Sequence, residues 1–173
     1  MSLVNIIIII IIIIIKSKKQ IDNSMDDFFP TVYGKNLNKE KVTIPDDFSG
    51  KNSIFIVAFQ RWHQQLVDES IAFLEEKNLH HYHHIVEIPV IQKTTWFRQV
   101  RLDTIMRMGI RDFDIRQRTI TIYLDKKEFR DKLSISNEES IHWFLVDHSS
   151  KKIIMRGIGV ISSEEINQIL NIV

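Results

Sequence analysis

Cysteine is absent from the 173 residues, which limits the chemistry that this chain can perform. Disulfide bonds, cysteine-ligated zinc, iron–sulfur clusters and thiolate nucleophiles are excluded, because each of them needs a cysteine sulfur. A glycine-rich phosphate loop, a nucleophile elbow and a paired-histidine zinc helix are missing as well. Only His, Ser, Thr, Asp, Glu, Lys and Tyr therefore remain as chemical agents.

Four histidines between positions 80 and 84 form the most conspicuous polar cluster. On a strand, His81 and His83 would share one face, because successive side chains alternate between the two faces. Two imidazoles on one face could begin a metal site, but such a site needs three or four convergent ligands. No carboxylate or further histidine stands nearby at a suitable spacing. His81 and His83 are weak metal candidates, and an exposed strand end without metal is the favoured interpretation.

His63 begins a predicted helix that follows a buried strand. Ligands of α/β proteins bind in the crevice at the carboxyl ends of the strands, so His63 could serve as a general base there. A base needs an orienting partner, and Asp68 lies about one helical turn too far round to supply it reliably. A polar residue in the first turn of the helix, without catalytic function, is the favoured interpretation of His63.

Four arginines lie between the predicted second helix and third strand, at Arg107, Arg111, Arg116 and Arg118. Guanidinium groups at this density could bind a carboxylate, a phosphate or an acidic loop of a partner. Three carboxylates are interleaved with them, at Asp103, Asp112 and Asp114. Alternating signs favour an internal network of salt bridges, and an anion-binding or partner-binding site remains the alternative.

The overall composition fits one globular domain. Hydrophobic residues make up 44% of the chain, and 23 basic residues oppose 22 acidic ones for a formal net charge of +1. A nucleic-acid-binding protein would normally carry an excess of Lys and Arg to neutralise phosphates. The composition therefore argues against a nucleic-acid partner.

The first 24 residues differ from the rest of the chain. Residues 3–15 form an apolar stretch, broken only by Asn5, that is shorter than the roughly 20 residues of a membrane-spanning helix. Lys16, Lys18 and Lys19 follow, and they would hold the domain on the cytoplasmic side of a membrane. We expect residues 1–24 to be either a short membrane anchor or a mis-assigned start before Met25. Residues 25–173 are expected to form a single cytoplasmic domain, with membrane tethering as the alternative.

Apolar patterns predict the elements of this domain. After an irregular segment through Pro30, Gly34 and Pro45, strands are expected at residues 54–59, 85–90, 119–124, 141–146 and 152–156. Helices are expected at residues 63–77, ending at Asn78, around residues 97–109, after a cap at Asp125, and after a capping box at Ser162 and Glu165. Trp96, Phe97 and Trp143 are expected to fill the core.

Strands that alternate with helices predict a mostly parallel sheet covered on both faces, and the final hairpin adds an antiparallel edge. This order resembles the thioredoxin and peroxiredoxin class. Residues 54–66 resemble the strand that leads into the redox motif, with Trp62 at the tryptophan before Cys-x-x-Cys and with His63 and Leu66 at the two cysteine positions. Residues 144–157 resemble the closing strands, but Ser140 and Ile141 stand where redox-active members have a cis-proline.

Within this class, the chain resembles the mitochondrial ATP-synthase assembly factors and their prokaryotic relatives, which commonly lack the redox cysteines. The most distinctive segments are residues 106–111, 118–123 and 141–147. The resemblance implies a thioredoxin-like α/β fold and a protein partner. No thiol oxidoreductase or peroxidase activity is expected, because cysteine is absent, and no cofactor is expected.

Three functional hypotheses follow. The leading one is a redox-inert binding module that acts as an assembly or chaperone-like factor on a protein partner. The second is a small enzyme that uses the former redox pocket, with His63 as base and the arginines as an anion clamp. The third treats residues 1–24 as a tether that concentrates the domain at a membrane. The identity of the partner and the oligomeric state remain open.

Overall fold

A computed structural model describes residues 27–172 of the chain. The predicted anchor or mis-assigned start at residues 1–24 therefore lies outside the described residues. Among the helices that are described, none has both the length and the apolar character needed to cross a membrane.

Seven strands in the described part form one mixed sheet. They are β1 (Val32–Asn36), β2 (Lys41–Ile44), β3 (Ser53–Ala58), β4 (His84–Gln92), β5 (Ile120–Leu124), β6 (His142–Val146) and β7 (Ile153–Ile158). Their order across the sheet is β2-β1-β5-β4-β3-β6-β7. Strands β3, β4 and β5 run parallel, whereas the remaining pairs are antiparallel. The predicted parallel centre with an antiparallel hairpin at one edge is confirmed.

Strand β3 lies between β4 and β6 in this sheet, and all six of its residues are buried. A strand covered on both faces needs apolar side chains on both, which is why the continuous apolar run predicted it.

Five helices are connected to these strands, together with short 3₁₀ turns at Arg61–His63 and Leu79–His81. The helices are α1 (Gln64–Glu76), α2 (Trp96–Gly109), α3 (Phe113–Arg118), α4 (Lys126–Lys132) and α5 (Ser163–Leu170). Asn78, with a φ of 57°, follows the end of α1, and the Asp125 carboxylate accepts a 2.9 Å hydrogen bond from the Glu128 backbone at the start of α4. Ser162 and Glu165 form the predicted capping box of α5.

Two apolar layers hold the sheet, one on each face. Helices α1 and α5 cover one face through residues such as Val67, Leu74 and Ile169, and Trp143 is fully buried among them. The other layer contains an aromatic group of Phe29, Phe55 and Phe144 together with Phe129 of α4. Helices therefore cover both faces, and the core position predicted for Trp143 is confirmed.

The predicted irregular segment before residue 50 is wrong, because β1 and β2 form an antiparallel hairpin whose first strand pairs with β5. Gly34 permits this pairing. A Cβ at Gly34 would lie 2.7 Å from Ile120 Cγ2 and 2.8 Å from the Thr121 carbonyl oxygen. Strand β1 pairs with β5, which is far away in sequence, so the local pattern of the hairpin carried little signal.

The core positions predicted for Trp96 and Phe97 are also wrong. Both side chains lie on α2 and are exposed, and no residue of this helix is buried. Helical periodicity indicates which residues share a face, but it does not indicate whether another element covers that face.

Candidate functional site

The turn that follows β3 carries the residues at the former redox positions. His63 ends the 3₁₀ turn Arg61–His63 and is completely buried, and its Nδ1 accepts a 3.2 Å hydrogen bond from the backbone N–H of Phe59. Trp62 is exposed and places its ring edge-on to the His63 imidazole, with the centroids 4.2 Å apart. Leu66 is half-buried in the first turn of α1. His63 was interpreted as a polar residue in the first turn of the helix, and its complete burial was not predicted.

A second imidazole, that of His142, is buried at the start of β6. Its ring lies 6.3 Å from that of Phe59, measured between centroids, and the Nε2 atoms of His142 and His63 both lack a hydrogen-bond partner within the described chain. Burial lowers the pKa of both imidazoles from the ordinary 6.5. Lys126 lowers the pKa of His63 further, whereas Glu138 acts in the opposite direction. The site therefore holds two neutral imidazoles at pH 7.

Glu138 joins the segments around these imidazoles. Its carboxylate pairs with Lys126, the first residue of α4, and accepts a 2.9 Å hydrogen bond from the side chain of Gln60. The Lys126 ammonium group also donates to the Phe59 carbonyl oxygen at 3.2 Å. Glu138 thereby fixes the loop before β6 against the turn after β3.

The buried position of His63 separates its imidazole from a substrate that would approach from solvent. A general base must come within hydrogen-bond distance of its substrate, and His63 is buried with Nδ1 already occupied. Thiol chemistry is excluded because the chain has no cysteine. The arrangement stabilises the fold at this position and presents Trp62 at the surface.

The four predicted arginines do not converge on His63. Arg118 pairs with Glu75 of α1, which lies about 18 Å beyond His63 along the helix axis. Arg116 donates to the carbonyl oxygens of Ile110 and Arg107, at 2.5 and 3.1 Å, and so fixes the connection from α2 to α3.

The predicted salt-bridge network among these arginines does not form in the described part of the chain. Asp103 accepts a 2.6 Å hydrogen bond from the Tyr123 hydroxyl, and Asp112 accepts from two backbone N–H groups at the start of α3. Arg107 and Arg111 form no ion pair with any described residue. Of the predicted set, these two are available to an anion or a partner.

The histidine cluster adopts a different local structure from the predicted strand. His81 lies in the 3₁₀ turn that follows Asn78, and His83 lies in the short connection before β4, so the two do not share a strand face. The His83 ring is buried, and burial, together with Lys51, lowers its pKa. It borders a surface cavity of about 500 Å³. The described residues contain no group of three or more potential metal ligands.

Sequence reasoning missed a carboxylic acid inside the sheet. Glu87 of β4 is 2% exposed, and the Thr119 hydroxyl lies 3.2 Å from its Oε2. Burial raises the pKa of Glu87, and hydrogen bonds from Thr119 and Gln64 oppose the rise. The available signal was a lone carboxylate within the apolar run at residues 85–90, as was the lone His142 within residues 141–146.

We expect Glu87→Gln to stabilise the protein increasingly as the pH rises from 5 to 8. The Glu87 carboxyl holds its proton more tightly in the folded state than in the unfolded state, where its pKa is near 4.5. The wild-type protein therefore loses stability as the pH rises from 4.5 through the folded-state pKa. Glutamine cannot ionise. The free energy of unfolding of the variant, relative to that of the wild type, should therefore rise by about 1–3 kcal/mol over this pH range. Urea denaturation at several pH values measures the difference.

The matched control is Glu76→Gln, because the Glu76 side chain is largely exposed on α1. Its effect on the free energy of unfolding should stay within about 0.5 kcal/mol. A stability difference for Glu87→Gln that does not change with pH would show that Glu87 is ionised without cost in the folded protein.

The sheet order, the helices on both faces and the position of His63 after β3 define a thioredoxin-like protein without cysteine. Solved structures agree with this class. The thioredoxin domain of a thiol-disulfide oxidoreductase from Bacteroides vulgatus is 16% identical, with 86% of this chain and 96% of that chain covered and a TM-score of 0.56. The exposed lipoprotein thioredoxin of Streptococcus pneumoniae is 9% identical, with 83% and 100% covered and a TM-score of 0.55.

A third similar structure is that of BsSco, a member of the Sco family of cytochrome c oxidase assembly proteins. It is 11% identical, with 86% of this chain and 92% of that chain covered and a TM-score of 0.52. At these identities the likeness shows the fold alone. A search of curated proteins found no match. The family model described as ATP10 protein matches residues 15–173, and the chain therefore belongs to the ATP10 protein family. The resemblance to ATP-synthase assembly factors is confirmed.

Proposed function

We propose that this protein acts in ATP synthase assembly by binding a protein partner without thiol chemistry. The observation that carries the proposal is a family match over residues 15–173 in a chain that keeps the thioredoxin-like fold but has His63 and Leu66 at the cysteine positions. A fold that retains its architecture after losing its nucleophiles can still serve as a rigid surface for recognition.

The site geometry supports recognition rather than catalysis. A mixed disulfide with a substrate cannot form, and the buried His63 is shielded from solvent. Contacts with a partner would therefore use exposed side chains. Arg107 and Arg111 are the candidates from the predicted arginine set, because Arg116 and Arg118 are held within the fold.

The location belongs to the proposal as well. ATP synthase is a membrane complex, so an assembly factor of this family would act close to the membrane in which that complex is built. We propose that the domain lies on the cytoplasmic side of that membrane, or on the matrix side in a mitochondrion. Lys16, Lys18 and Lys19 suggest this side for a tethered chain.

Removal of the protein from its host should lower the amount of assembled ATP synthase several-fold, while the individual subunits are still made. Native gel electrophoresis of the complex measures this effect, and expression of the full chain should restore assembly. The double variant Arg107→Ala/Arg111→Ala should restore it incompletely, whereas Lys35→Ala, at an exposed cation on β1, should restore it fully. The purified chain should not reduce insulin disulfides.

Two results would contradict this function. One is a normal level of assembled ATP synthase in cells without the protein. The other is disulfide reductase activity of the purified chain that persists after further purification.

A further inference from the structure

Helix α2 carries large apolar side chains that no described element covers. Phe97 is 77% exposed, Met108 is 75% exposed and Trp96 is 67% exposed, and Val100 and Ile105 are exposed as well. Monomeric soluble proteins rarely leave such a group uncovered, and a contiguous apolar patch usually marks an interaction site. We call this surface, formed by Trp96, Phe97, Val100, Arg101, Ile105 and Met108, the α2 face.

Polar contacts hold α2 to the domain from its opposite side. The Tyr123 hydroxyl of β5 donates to the Asp103 carboxylate at 2.6 Å and lies 3.2 Å from the Gln99 carbonyl oxygen. Arg116 donates to the carbonyl oxygen of Arg107, near the end of the helix. Trp96, Phe97 and Met108 take no part in these polar contacts and remain exposed.

The charges on α2 are mostly of one sign. The helix contains three arginines, one aspartate and neither lysine nor glutamate. Arg98, Arg101 and Arg107 form no ion pair with the described residues, and Asp103 is turned toward Tyr123. Aromatic residues, methionine and arginine are the residue types enriched in protein interfaces, and lysine, glutamate and aspartate are depleted there.

Arg101 lies within the apolar surface rather than beside it. Phe97 precedes it by one helical turn and Ile105 follows it by one turn, so the three share a face of the helix. An amphipathic helix that lies on a bilayer separates its apolar and charged faces, whereas Arg101 would be carried toward the acyl chains. A protein helix can instead place a carboxylate opposite Arg101 within an apolar interface.

Two other occupants fit the charges less well. A second copy of the chain would bring the same surface to a two-fold interface, where arginines would face arginines and the one aspartate of α2 is already bonded to Tyr123. The apolar stretch at residues 3–15 contains no carboxylate, so it would leave Arg101 unpaired.

We propose that the α2 face binds a helix of the protein partner whose apolar stripe is bordered by carboxylates. This inference rests on the proposed function and names the surface that recognises the partner. The apolar residues Phe97, Ile105 and Met108 pack against the stripe, and Arg98 and Arg101 pair with its acidic border.

The first test uses the full chain and two synthetic helical peptides that share one leucine stripe, bordered by glutamates in one peptide and by lysines in the other. Calorimetric titration should show at least tenfold tighter binding of the glutamate peptide. The variant Arg98→Glu/Arg101→Glu should reverse this preference, and Phe97→Ser/Met108→Ser should weaken binding at least tenfold. Tyr33→Ser, at an exposed aromatic residue of β1, should change nothing. Equal affinities without reversal would overturn the proposal.

The second test identifies the occupant in the host cell. A photoreactive p-benzoylphenylalanine at position 97 of the full chain should crosslink to a partner segment that combines apolar residues with carboxylates, as mapped by mass spectrometry. Adducts with lipid or with a second copy of the chain would overturn the proposal. If the crosslinks and peptides contradict it while loss of the protein still impairs ATP synthase assembly, only the α2 face is wrong. Normal assembly together with peptide binding would overturn the proposed function alone.

Discussion

Gly157→Ala is expected to lower the free energy of unfolding by about 2–3 kcal/mol, because it overpacks the core. Gly157 of β7 lies opposite Trp143 of β6, whose side chain is fully buried. A Cβ at position 157 would lie 2.4 Å from the Cε2 and Cζ2 atoms of the Trp143 ring. No rotation of a flexible side chain can relieve this overlap, because the indole is enclosed by the layer between the sheet and helices α1 and α5. Urea denaturation followed by tryptophan fluorescence measures the loss.

Gly109→Ala is the matched control, since a Cβ at the end of α2 meets nothing within 4 Å. It should be neutral or stabilise the protein by up to about 1 kcal/mol through the helix propensity of alanine. Trp143→Leu should make the second change at Gly157 less costly, so the double variant should be at least about 1 kcal/mol more stable than additivity predicts. Equal effects of Gly157→Ala and Gly109→Ala would contradict the packing explanation.

Elements whose signals are local were predictable from sequence. The buried strand β3 follows from an uninterrupted apolar run, and the starts of α4 and α5 follow from Asp125 and from the capping box at Ser162. Gly157 of β7 lies in the segment, residues 144–157, that resembles the closing strands of the class. The reason for a glycine there, contact with Trp143 on the neighbouring strand, becomes visible only when the strand pairing is known.

Features that depend on distant contacts were not predictable. Trp96 and Phe97 have the composition and spacing of core residues, yet both are exposed and no residue of α2 is buried. The β1–β2 hairpin depends on its pairing with β5. A single sequence shows the periodicity of an apolar face but not the element that covers it. At α2 the apolar side chains are uncovered, and the proposed partner site rests on that exposure.

The candidate site shows the same limit. The resemblance located His63 at a former cysteine position, but the charged groups that act on it, Glu138 and Lys126, lie far along the chain. His142 reaches the site because β6 pairs with β3. One imidazole, that of His63, thus lies buried at a former cysteine position, and that of His142 is buried on the neighbouring strand. Because these imidazoles are buried, we expect the stability of the folded protein to depend on pH.

We expect the protein to lose stability steeply below about pH 6.5. Burial lowers the pKa of His63, His83 and His142 in the folded protein, whereas the unfolded chain binds protons near 6.5. Between the two pKa values the unfolded state binds more protons, so the free energy of unfolding falls as the pH falls. Each histidine that stays neutral contributes at most about 1.4 kcal/mol per pH unit, and three together could contribute about 4 kcal/mol per unit.

Glu87 acts in the opposite direction over part of this range, because its raised pKa favours folding at low pH. The measurement is therefore made in the Glu87→Gln background, by urea denaturation at half-unit steps from pH 7.5 to pH 5. His142→Phe in this background should reduce the slope by about one third, since it removes one of three buried imidazoles. His81→Gln, at an exposed position, should change the free energy of unfolding by less than about 0.5 kcal/mol. A slope that His142→Phe does not alter would mean that acid opens the fold elsewhere, and the imidazoles at the former redox position would then not control its stability.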